Sequence, residues 1–371
     1  MEDLEELRRD FPVTKNKVYL NHAAHSPLPK PVRDAMWKYV EDFSEYGEAT
    51  DLDDGKSCFA RLVNAAEDEV ALVENTSMGL NITANMLDYP SGSNVVTTDL
   101  EYPAAVYPWM KKKLGVTLRY VGNKAGKILL EDLKKAVDDK TVAVIISHVE
   151  YANGFRFDLK AVSEIAHRHG AYLIVDAIQS LGALPVDVKH DNVDFLTAGC
   201  YKWMLGPPGV GYLYVRKEFI EKFEPPFIGW ASVKPEVFET IDAWEIHHLN
   251  LSETASRFEI GTPSRVSVCG AVAALKLLLI TGIENIEKRV LNLTDNLIER
   301  LTEKGLRLQT PLEPECRSGI VNFLIDNPQE RTNKLAEKGI VVSARSRGIR
   351  VSPHFYNTEE EIDKLAEEAT K

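Results

Sequence analysis

The sequence has 371 residues, 44% of them hydrophobic, which suits a globular protein of about two domains rather than one simple core. Lys and Arg number 44 against 56 Asp and Glu, so the net charge of −12 argues against nucleic acid or an anionic membrane as the main partner. No apolar stretch approaches the ~20 residues that span a bilayer. Because MEDLEELRRDF at positions 1–11 is charged where a signal peptide is apolar, we expect a cytoplasmic protein. The four cysteines lack CxxC spacing, which predicts free thiols and no metal site.

Strand-like and helix-like patterns alternate along most of the chain. Short runs rich in β-branched residues predict strands at residues 69–73, 94–98, 116–121, 142–149, 171–176 and 194–198. Runs such as VAVIISHV and AYLIVD are apolar without alternation, as expected for parallel strands covered by helices on both faces. Asp158 is placed to cap a helix over LKAVSEIAHRHG, which Gly170 ends. These units predict an α/β fold with a mostly parallel sheet.

A second, smaller unit follows from about residue 249. Helical patterns over residues 267–303 precede short strands near residues 306, 320, 340 and 349 and a closing helix from Thr358, which predicts an α+β domain. The sequence contains no internal repeat and no Gly/Ser linker, so we expect the two units to pack closely. We therefore divide the chain into an N-terminal segment 1–20 that packs with the small domain, a large domain 21–248 and a small C-terminal domain 249–371.

Ligands of open α/β sheets bind outside the carboxyl ends of the strands, so polar residues at those ends are candidates for function. The first such end reads NTSMG, with Asn75, Thr76 and Ser77 leading into a predicted helix. Free backbone N–H groups and the positive end of the helix dipole suit a phosphate group there. The alternative is that Thr76 or Ser77 simply caps the helix.

Two further strand ends carry His148 and Asp176. His148 follows VAVIIS, and a hydrogen-bonded core histidine is the commoner explanation for one such residue. Asp176 ends AYLIVD, and Gln179 lies three residues further on. A carboxylate at the end of a buried strand needs a cation or donors, and a protonated pyridine nitrogen would supply one. The alternatives are a structural salt bridge or a cap.

Lys202 lies between two strand-like runs, DFLTAGC and VGYLYV, beside Tyr201 and Trp203 and ahead of a glycine-rich turn. An ammonium group is costly to bury unpaired, so this lysine either extends to solvent along its aliphatic stem or reacts. For a lone lysine, extension to solvent is the commoner outcome.

Several segments in one order, NTS, SHVEYANG, VDAIQS and AGCYKW, resemble the class V aminotransferase family of fold type I enzymes, which depend on pyridoxal 5′-phosphate (PLP). That family includes cysteine desulfurases, kynureninases, phosphoserine and alanine–glyoxylate aminotransferases, and isopenicillin N epimerase-like proteins, whose lysine run is similar to KWMLGPPG. The resemblance extends from YLNHAAHSPLP through LEYPAAVYPW and RFEIGTPS to GIRVSPHFYNTEEEID. It implies a large PLP-binding domain, flanked by helices, and a smaller α+β domain.

The resemblance also implies roles for single residues. Lys202 would hold the cofactor as a Schiff base and move the proton at the substrate α-carbon. Asp176 would pair with the pyridinium nitrogen and keep the ring cationic. The other cofactor contacts would be His148 on the ring face, Gln179 at the ring 3-oxygen, and Thr76, Ser77 and Tyr201 at the phosphate.

Substrate and partner contacts follow from the same resemblance. Arg350 matches the arginine that binds the substrate α-carboxylate, for which a two-pronged planar donor is suited; the alternative is an exposed surface charge. Thr262 matches a threonine that reaches the phosphate of the neighbouring subunit, which implies a homodimer with active sites at the subunit interface. The candidates for the pocket wall, each of which has a packing or surface role as its alternative, are Asn21, His22, His25, Tyr102, Asn153, Trp230 and Arg345. Trp230 would narrow the pocket from the partner subunit, and Arg345 would recognise a second acidic group on the substrate.

The sequence departs from the desulfurase pattern at two places. Many desulfurases read S-G-H-K at the lysine, whereas Gly199, Cys200 and Tyr201 precede Lys202 here. The run IVVSARSRGIRVSP at 340–353 has no cysteine where desulfurases carry a nucleophilic one, and Cys200 is better explained as a small buried hydrophobic residue. We therefore predict an aminotransferase acting on an α-amino acid. Epimerase-like and β- or γ-lyase reactions are the alternatives, and a desulfurase or a non-catalytic family member is less favoured.

Overall fold

The computed structural model describes residues 4–48, 53–234 and 247–369. The strands are β1 Val18–Tyr19, β2 Val70–Val73, β3 Asn94–Thr98, β4 Thr117–Val121, β5 Thr141–Ser147, β6 Tyr172–Asp176, β7 Phe195–Gly199, β8 Gly211–Val215, β9 Val321–Leu324, β10 Ile340–Val341, β11 Ser343–Arg345 and β12 Gly348–Val351. The helices are α1 Leu4–Arg8, α2 Lys30–Tyr46, α3 Lys56–Val63, α4 Thr76–Met86, α5 Pro103–Val106, α6 Leu130–Ala136, α7 Leu159–His167, α8 Lys217–Ile220, α9 Arg265–Thr281, α10 Ile283–Glu303, α11 Pro328–Glu337 and α12 Glu359–Ala369.

The large sheet has the strand order β2-β8-β7-β6-β5-β3-β4. The pairs β6–β7, β5–β6, β3–β5 and β3–β4 are parallel, which confirms the predicted mostly parallel sheet. Only β8 runs against its neighbours, β7 and β2. The loop 200–210 between β7 and β8 contains no helix and is too short for the crossover that a parallel pair requires. Lys202 lies in this loop.

The crossover from β5 to β6 forms as its sequence predicts. The Asp158 side chain accepts a hydrogen bond of 3.0 Å from the backbone N–H of Ala161 at the start of α7. Gly170 has a φ of 71°, a left-handed conformation that ends the helical turn at little cost for glycine. Apolar residues of β5 and β6 are buried on both faces of the sheet, so α7 and the helices opposite exclude water from both sides.

The small unit is a three-stranded antiparallel sheet, β11-β12-β9, packed with α10 and α12. The predicted helical stretch over residues 267–303 is interrupted at Gly282, whose φ is 83°, and so forms α9 and α10. The N-terminal segment joins this unit, because β1 pairs in parallel with β10. Leu20 lies in the same apolar core as the small sheet.

The division of the chain at residue 249 remains a prediction. Phe258, α9 and the first half of α10 contribute apolar side chains to the cores around the large sheet, and α9 packs along α2. The later residues of α10, from Leu293, pack with the small sheet instead. We propose that the boundary between the two packing units lies within α10.

Within the described residues, no single helix is long and apolar enough to cross a membrane. The helices α9 and α10 pass such a test of length and composition only as a pair, and the pair is bent by 82°.

Candidate active site

Lys202 lies beyond the carboxyl end of β7, with only 9% of its surface exposed, so its side chain does not extend to solvent. Its backbone is fixed by Ser26, whose Oγ donates to the carbonyl of Lys202 at 2.6 Å and whose N–H donates to the carbonyl of Tyr201 at 2.9 Å. The Lys202 Nζ atom lies 5.8 Å from the ring centre of Tyr102 and 5.7 Å from that of Tyr201. The amine is therefore enclosed largely by aromatic surface.

This enclosure makes the Lys202 amine easier to deprotonate. Burial lowers the pKa of Lys202 from 10.5 to about 8 by disfavouring the charged form. The charge of Asp176 opposes this effect, while the charges of Arg350 and Arg345 add to it. At pH 7 the neutral, nucleophilic fraction is about 300-fold larger than for a lysine with a pKa of 10.5.

We expect the rate at which the apoprotein captures PLP covalently to rise with pH and to level off above pH 8. The neutral amine is the reactive form, and it predominates once the pH exceeds the lowered pKa of about 8. The measurement is borohydride trapping of the cofactor on the protein at a series of pH values. Under the same conditions, Nα-acetyl-lysine should continue to gain rate above pH 9. A rate for the protein that also climbs without a plateau would show that Lys202 has an ordinary pKa.

Asp176 ends β6, and its carboxyl group is buried. Its Oδ1 accepts a hydrogen bond of 2.9 Å from the N–H of Ile178. Burial raises the pKa of Asp176 to about 6, although that hydrogen bond and the charge of Lys202 act in the opposite direction. Within the described part of the chain, no Lys, Arg or His nitrogen comes within 4 Å of this carboxylate. The structure thus gives Asp176 no structural salt bridge, and the group is suited to receive a cation from a ligand.

Two further carboxyl groups, which the sequence analysis missed, lie near Asp176: Glu101 is half-buried and Glu150 is fully buried. The Glu101 carboxylate accepts bonds of 2.6 Å from both the N–H and the Oγ of Ser147. Burial raises the pKa of Glu101 to about 8, and the charge of Asp176 contributes. Glu150 accepts a hydrogen bond of 3.1 Å from Thr98 Oγ1. The pKa of Glu150 is also raised, chiefly by burial and secondly by repulsion from Glu101. Because Glu101 and Glu150 each follow a strand by three residues, their position at the sheet edge was a readable signal.

His148 lies beside Asp176 at the same sheet edge, since its N–H donates to the Asp176 carbonyl at 2.9 Å. The imidazole is buried, and burial lowers the pKa of His148 to about 3, so the ring is neutral at physiological pH. Its Nδ1 atom has no hydrogen-bond partner among the described residues. A fully hydrogen-bonded core histidine is therefore not what the structure shows, and the ring is available to a ligand.

Gln179 is held in place from two directions. Its Nε2 donates to the carbonyl of Ala23 at 3.0 Å, and its Oε1 accepts from the indole N–H of Trp203 at 2.9 Å. An amide nitrogen carries two hydrogens, so one remains for a ligand oxygen. The indole of Trp203, the residue that follows Lys202, therefore orients the amide of Gln179, which is a predicted cofactor contact.

The start of α4 is the helix end at which we predict an anion site. Asn75, and not Thr76 or Ser77, caps the helix, with its Oδ1 accepting from the N–H of Met78 at 2.9 Å. The Thr76 hydroxyl oxygen accepts from the N–H of Gly199 at 2.9 Å and ties α4 to the end of β7, whereas Ser77 is exposed. Gly79 permits this close packing, because a Cβ there would lie 2.2 Å from Thr197 Oγ1. The Ser77 hydroxyl is consequently placed for an external anion.

Arg350 enters the site from the small unit. It lies on β12 with only 2% of its surface exposed, so the alternative of an exposed surface charge is wrong. Its Nη1 donates to the carbonyl of Tyr151 at 2.8 Å, and its Nε is buried without a partner among the described residues. Burial lowers the pKa of Arg350 to about 10, so the group stays charged at neutral pH. Over the described ranges it has no carboxylate within 4 Å, and such a cation suits a carboxylate ligand.

The remaining candidates for the pocket wall differ in their surroundings. Tyr102 is 48% exposed beside Lys202, and the buried Oδ1 of Asn21 has no partner within the described ranges. Trp230 is 56% exposed, and Thr262 and His25 are exposed. Arg345 is exposed on β11.

His22 and Asn153 have packing roles in this structure. The His22 ring bonds to the Ser352 carbonyl at 2.9 Å and to the Tyr356 hydroxyl at 2.8 Å. The Asn153 amide donates to the Gly126 carbonyl at 2.7 Å and accepts from the N–H of Phe155 at 3.1 Å. Both side chains are buried with these bonds made, so we assign them to the packing of the two units rather than to the pocket wall.

The residues present fit PLP. A buried amine with a lowered pKa, a buried carboxylate and a buried neutral imidazole lie at neighbouring strand ends. Among the described residues, the carboxylate has no cationic nitrogen within 4 Å and the imidazole Nδ1 has no hydrogen-bond partner. The exposed start of α4 lies at the same edge of the sheet, and its free backbone N–H groups would suit a phosphate. Among the residues that the structure describes, no group of three or more His, Cys, Asp or Glu side chains is arranged to hold a metal ion.

Comparison with known proteins agrees with this chemistry. The family model described as Aminotransferase class-V matches residues 18–365. The chain is 34% identical to the "Uncharacterized aminotransferase YcbU" of Bacillus subtilis, with 98% of this chain and 97% of the relative covered. The apo structure of a cysteine desulfurase from Thermococcus onnurineus NA1 is 28% identical, with a TM-score of 0.88 and coverage of 99% and 97%.

A further solved structure shares the fold. A mutant of C-DES with glycine covalently linked to the PLP cofactor has a TM-score of 0.89, coverage of 98% and 99%, and 24% identity. The match of the family model to nearly the whole chain confirms the resemblance stated above. The chain therefore belongs to the class V aminotransferase family and is a PLP-dependent enzyme of fold type I.

Proposed function

We propose that the enzyme is an aminotransferase that acts on an α-amino acid. The observation that carries this proposal is the buried guanidinium of Arg350, which has no carboxylate partner in the described structure and lies near enough to Lys202 for its charge to lower the lysine pKa. A substrate whose carboxylate binds Arg350 would present its α-carbon toward Lys202. When bound, PLP supplies an electron-accepting ring that stabilises negative charge at that carbon.

The side chains around the ring position then have distinct tasks. The amine of Lys202 removes the proton at the substrate α-carbon and later returns a proton, and a pKa of about 8 suits transfer in both directions near neutral pH. Asp176 would stabilise positive charge on the ring nitrogen, and Gln179 and Ser77 would donate hydrogen bonds to the cofactor's oxygens. Arg350 fixes the substrate carboxylate.

The absence of a suitable thiol favours transamination over desulfuration. Residues 340–353, which form β10, β11 and β12, contain no cysteine. Cys200, although two residues before Lys202, is fully buried, and burial raises the pKa of its thiol, so the reactive thiolate is suppressed. The solved cysteine desulfurase shares the fold, but this chain has no cysteine at residues 340–353, where the resemblance places the nucleophile of desulfurases.

The test is to mix the holoenzyme with single amino acids and to follow both the cofactor absorption band and the products. Transamination should convert the bound cofactor to pyridoxamine 5′-phosphate with release of one equivalent of keto acid, and a second keto acid should restore the original band. Sulfide or alanine from cysteine would contradict the proposal. Loss of optical activity without keto acid would indicate epimerisation, and pyruvate with ammonia would indicate a lyase.

We further propose that the enzyme works as a cytoplasmic homodimer. Thr262 and Trp230 are both exposed in the single chain, and Trp230 lies against Gly261, so the two residues belong to one surface. Phe227 and Ile228 are exposed on the same segment, and exposed apolar residues in a group are typical of an interface. In a dimer, this surface would supply Thr262 to the phosphate of the neighbouring subunit.

A further inference from the structure

The hairpin of β11 and β12 carries a second arginine toward the site. Ser343 pairs with Arg350 across the two strands, and Arg345 pairs with Gly348. Side chains of directly paired residues lie on the same face of a sheet, and residues two apart on a strand share that face. The side chains of Arg345 and Arg350 therefore extend from one face of the hairpin.

The charge of Arg345 acts on the residues of the site. It lowers the pKa of Arg350, second only to burial, and it also lowers the pKa of Lys202. Over the described ranges, Arg345 has no carboxylate within 4 Å, and its Nη1 donates to the carbonyl of the adjacent Ala344 at 2.8 Å. The guanidinium of Arg345 thus lies near the cationic groups of Arg350 and Lys202. In the described chain, no carboxylate within 4 Å of Arg345 offsets this repulsion.

The groups of the cofactor and the substrate that have been assigned so far do not interact with the charge of Arg345. The cofactor phosphate would bind at the start of α4, and Asp176 would match the ring nitrogen. The α-carboxylate of an amino acid would offset the charge of Arg350, and Lys202 would be occupied with the cofactor and the substrate α-carbon. A third anionic group on the ligand would reduce the repulsion between Arg345 and the other two cationic groups.

We infer that the substrate is a dicarboxylic amino acid and that Arg345 binds its side-chain carboxylate. This inference rests on the proposed function and names the substrate class of the same site. Arg345 lies on the exposed side of Arg350, so the distal carboxylate lies toward the solvent opening while the α-carboxylate lies inside. Because the Arg345 contact is partly screened by water, we expect on the order of tenfold tighter binding from the second carboxylate.

The test measures binding without turnover. Succinate, glutarate and the monocarboxylate butyrate are titrated into the holoenzyme, and the shift of the cofactor absorption band gives each Kd. In the wild type, one of the dicarboxylates should bind about tenfold more tightly than butyrate. Arg345→Gln should bring the ratio of the butyrate Kd to the dicarboxylate Kd close to one. Arg345→Lys should restore part of the preference for the dicarboxylate. Arg347→Gln, on the turn of the same hairpin, is the matched control and should keep the wild-type ratio.

The outcomes separate this inference from the proposed function. Equal affinity of the wild type for dicarboxylates and butyrate, or a preference that survives Arg345→Gln, overturns the inference even if the enzyme transfers amino groups. A preference that depends on Arg345 supports the inference even if product analysis shows a reaction other than transamination. In the amino-acid panel, aspartate or glutamate should convert the cofactor at least about tenfold more efficiently than alanine.

Discussion

Replacing Lys202 with alanine is expected to reduce turnover by about 10⁴-fold or more, because one substitution removes both the covalent link to the cofactor and the group that moves the substrate α-proton. Cofactor that remains would be held only by noncovalent contacts at its phosphate and ring. Borohydride treatment should therefore no longer fix the cofactor to the protein. The measurement combines steady-state turnover, the absorption spectrum and the mass of the protein after reduction.

The control for this substitution is Lys189→Ala, since Lys189 is exposed and remote from the loop after β7. Loss of folding is not expected for Lys202→Ala. The hydrogen bonds from Ser26 go to backbone carbonyls, and the buried ammonium is itself unfavourable in the apoprotein. The melting temperature of the apo variant should equal or exceed that of the wild type. Activity above about a tenth of the wild type would remove Lys202 from the assigned role.

Replacing Arg350 with alanine should chiefly weaken binding of the amino acid. If the contact with the substrate carboxylate is desolvated, the loss is ~2 to 5 kcal/mol, or roughly 30- to 5,000-fold in Kd. The buried position of the guanidinium and its unpaired Nε favour such a contact. The measurement is a titration of the holoenzyme with the amino acid that proves active, followed in the cofactor absorption band.

Arg350→Lys is the matched variant. It keeps the charge but loses the two-pronged geometry, so its affinity should lie between those of the wild type and the alanine variant. The hydrogen bond from Arg350 to the Tyr151 carbonyl crosses between the small and large units, and its loss should lower the melting temperature by a few degrees at most. An unchanged Kd in a folded Arg350→Ala protein would place the substrate carboxylate elsewhere.

Local sequence was sufficient for the large sheet. The strands β3, β5 and β6 lie within two residues of their predicted bounds, because consecutive apolar residues, β-branched side chains and flanking turns all favour a buried parallel strand there. The break of the helix at Gly282 was harder to predict from sequence. An apolar helical pattern continues on both sides of this residue, and a single glycine is tolerated within a helix.

The residues of the candidate site could be predicted only through the resemblance to a known family. By itself, each strand-end residue had a simpler explanation, and the cap of α4 was in fact Asn75 rather than Thr76 or Ser77. Glu101 and Glu150 were overlooked although each follows a strand by three residues, because acidic residues at strand ends are commonly exposed. Only the tertiary structure shows that the charges of these two residues and of Asp176 act on one another. Ser26 acts through a contact across 176 residues of sequence, which no local pattern predicts.

The sequence by itself determined the order of strands and helices along the chain, because this order depends on backbone preferences and apolar patterns within a few residues. The choice of Lys202 as the cofactor lysine came from the family resemblance and not from any local pattern. Only the tertiary structure decided the electrostatics. It placed Arg345 and Arg350 near Lys202, left Asp176 with no cationic nitrogen within 4 Å in the described chain and buried the thiol of Cys200. A charge acquires its pKa and its need for a partner from the groups packed around it, and those groups come from distant parts of the chain.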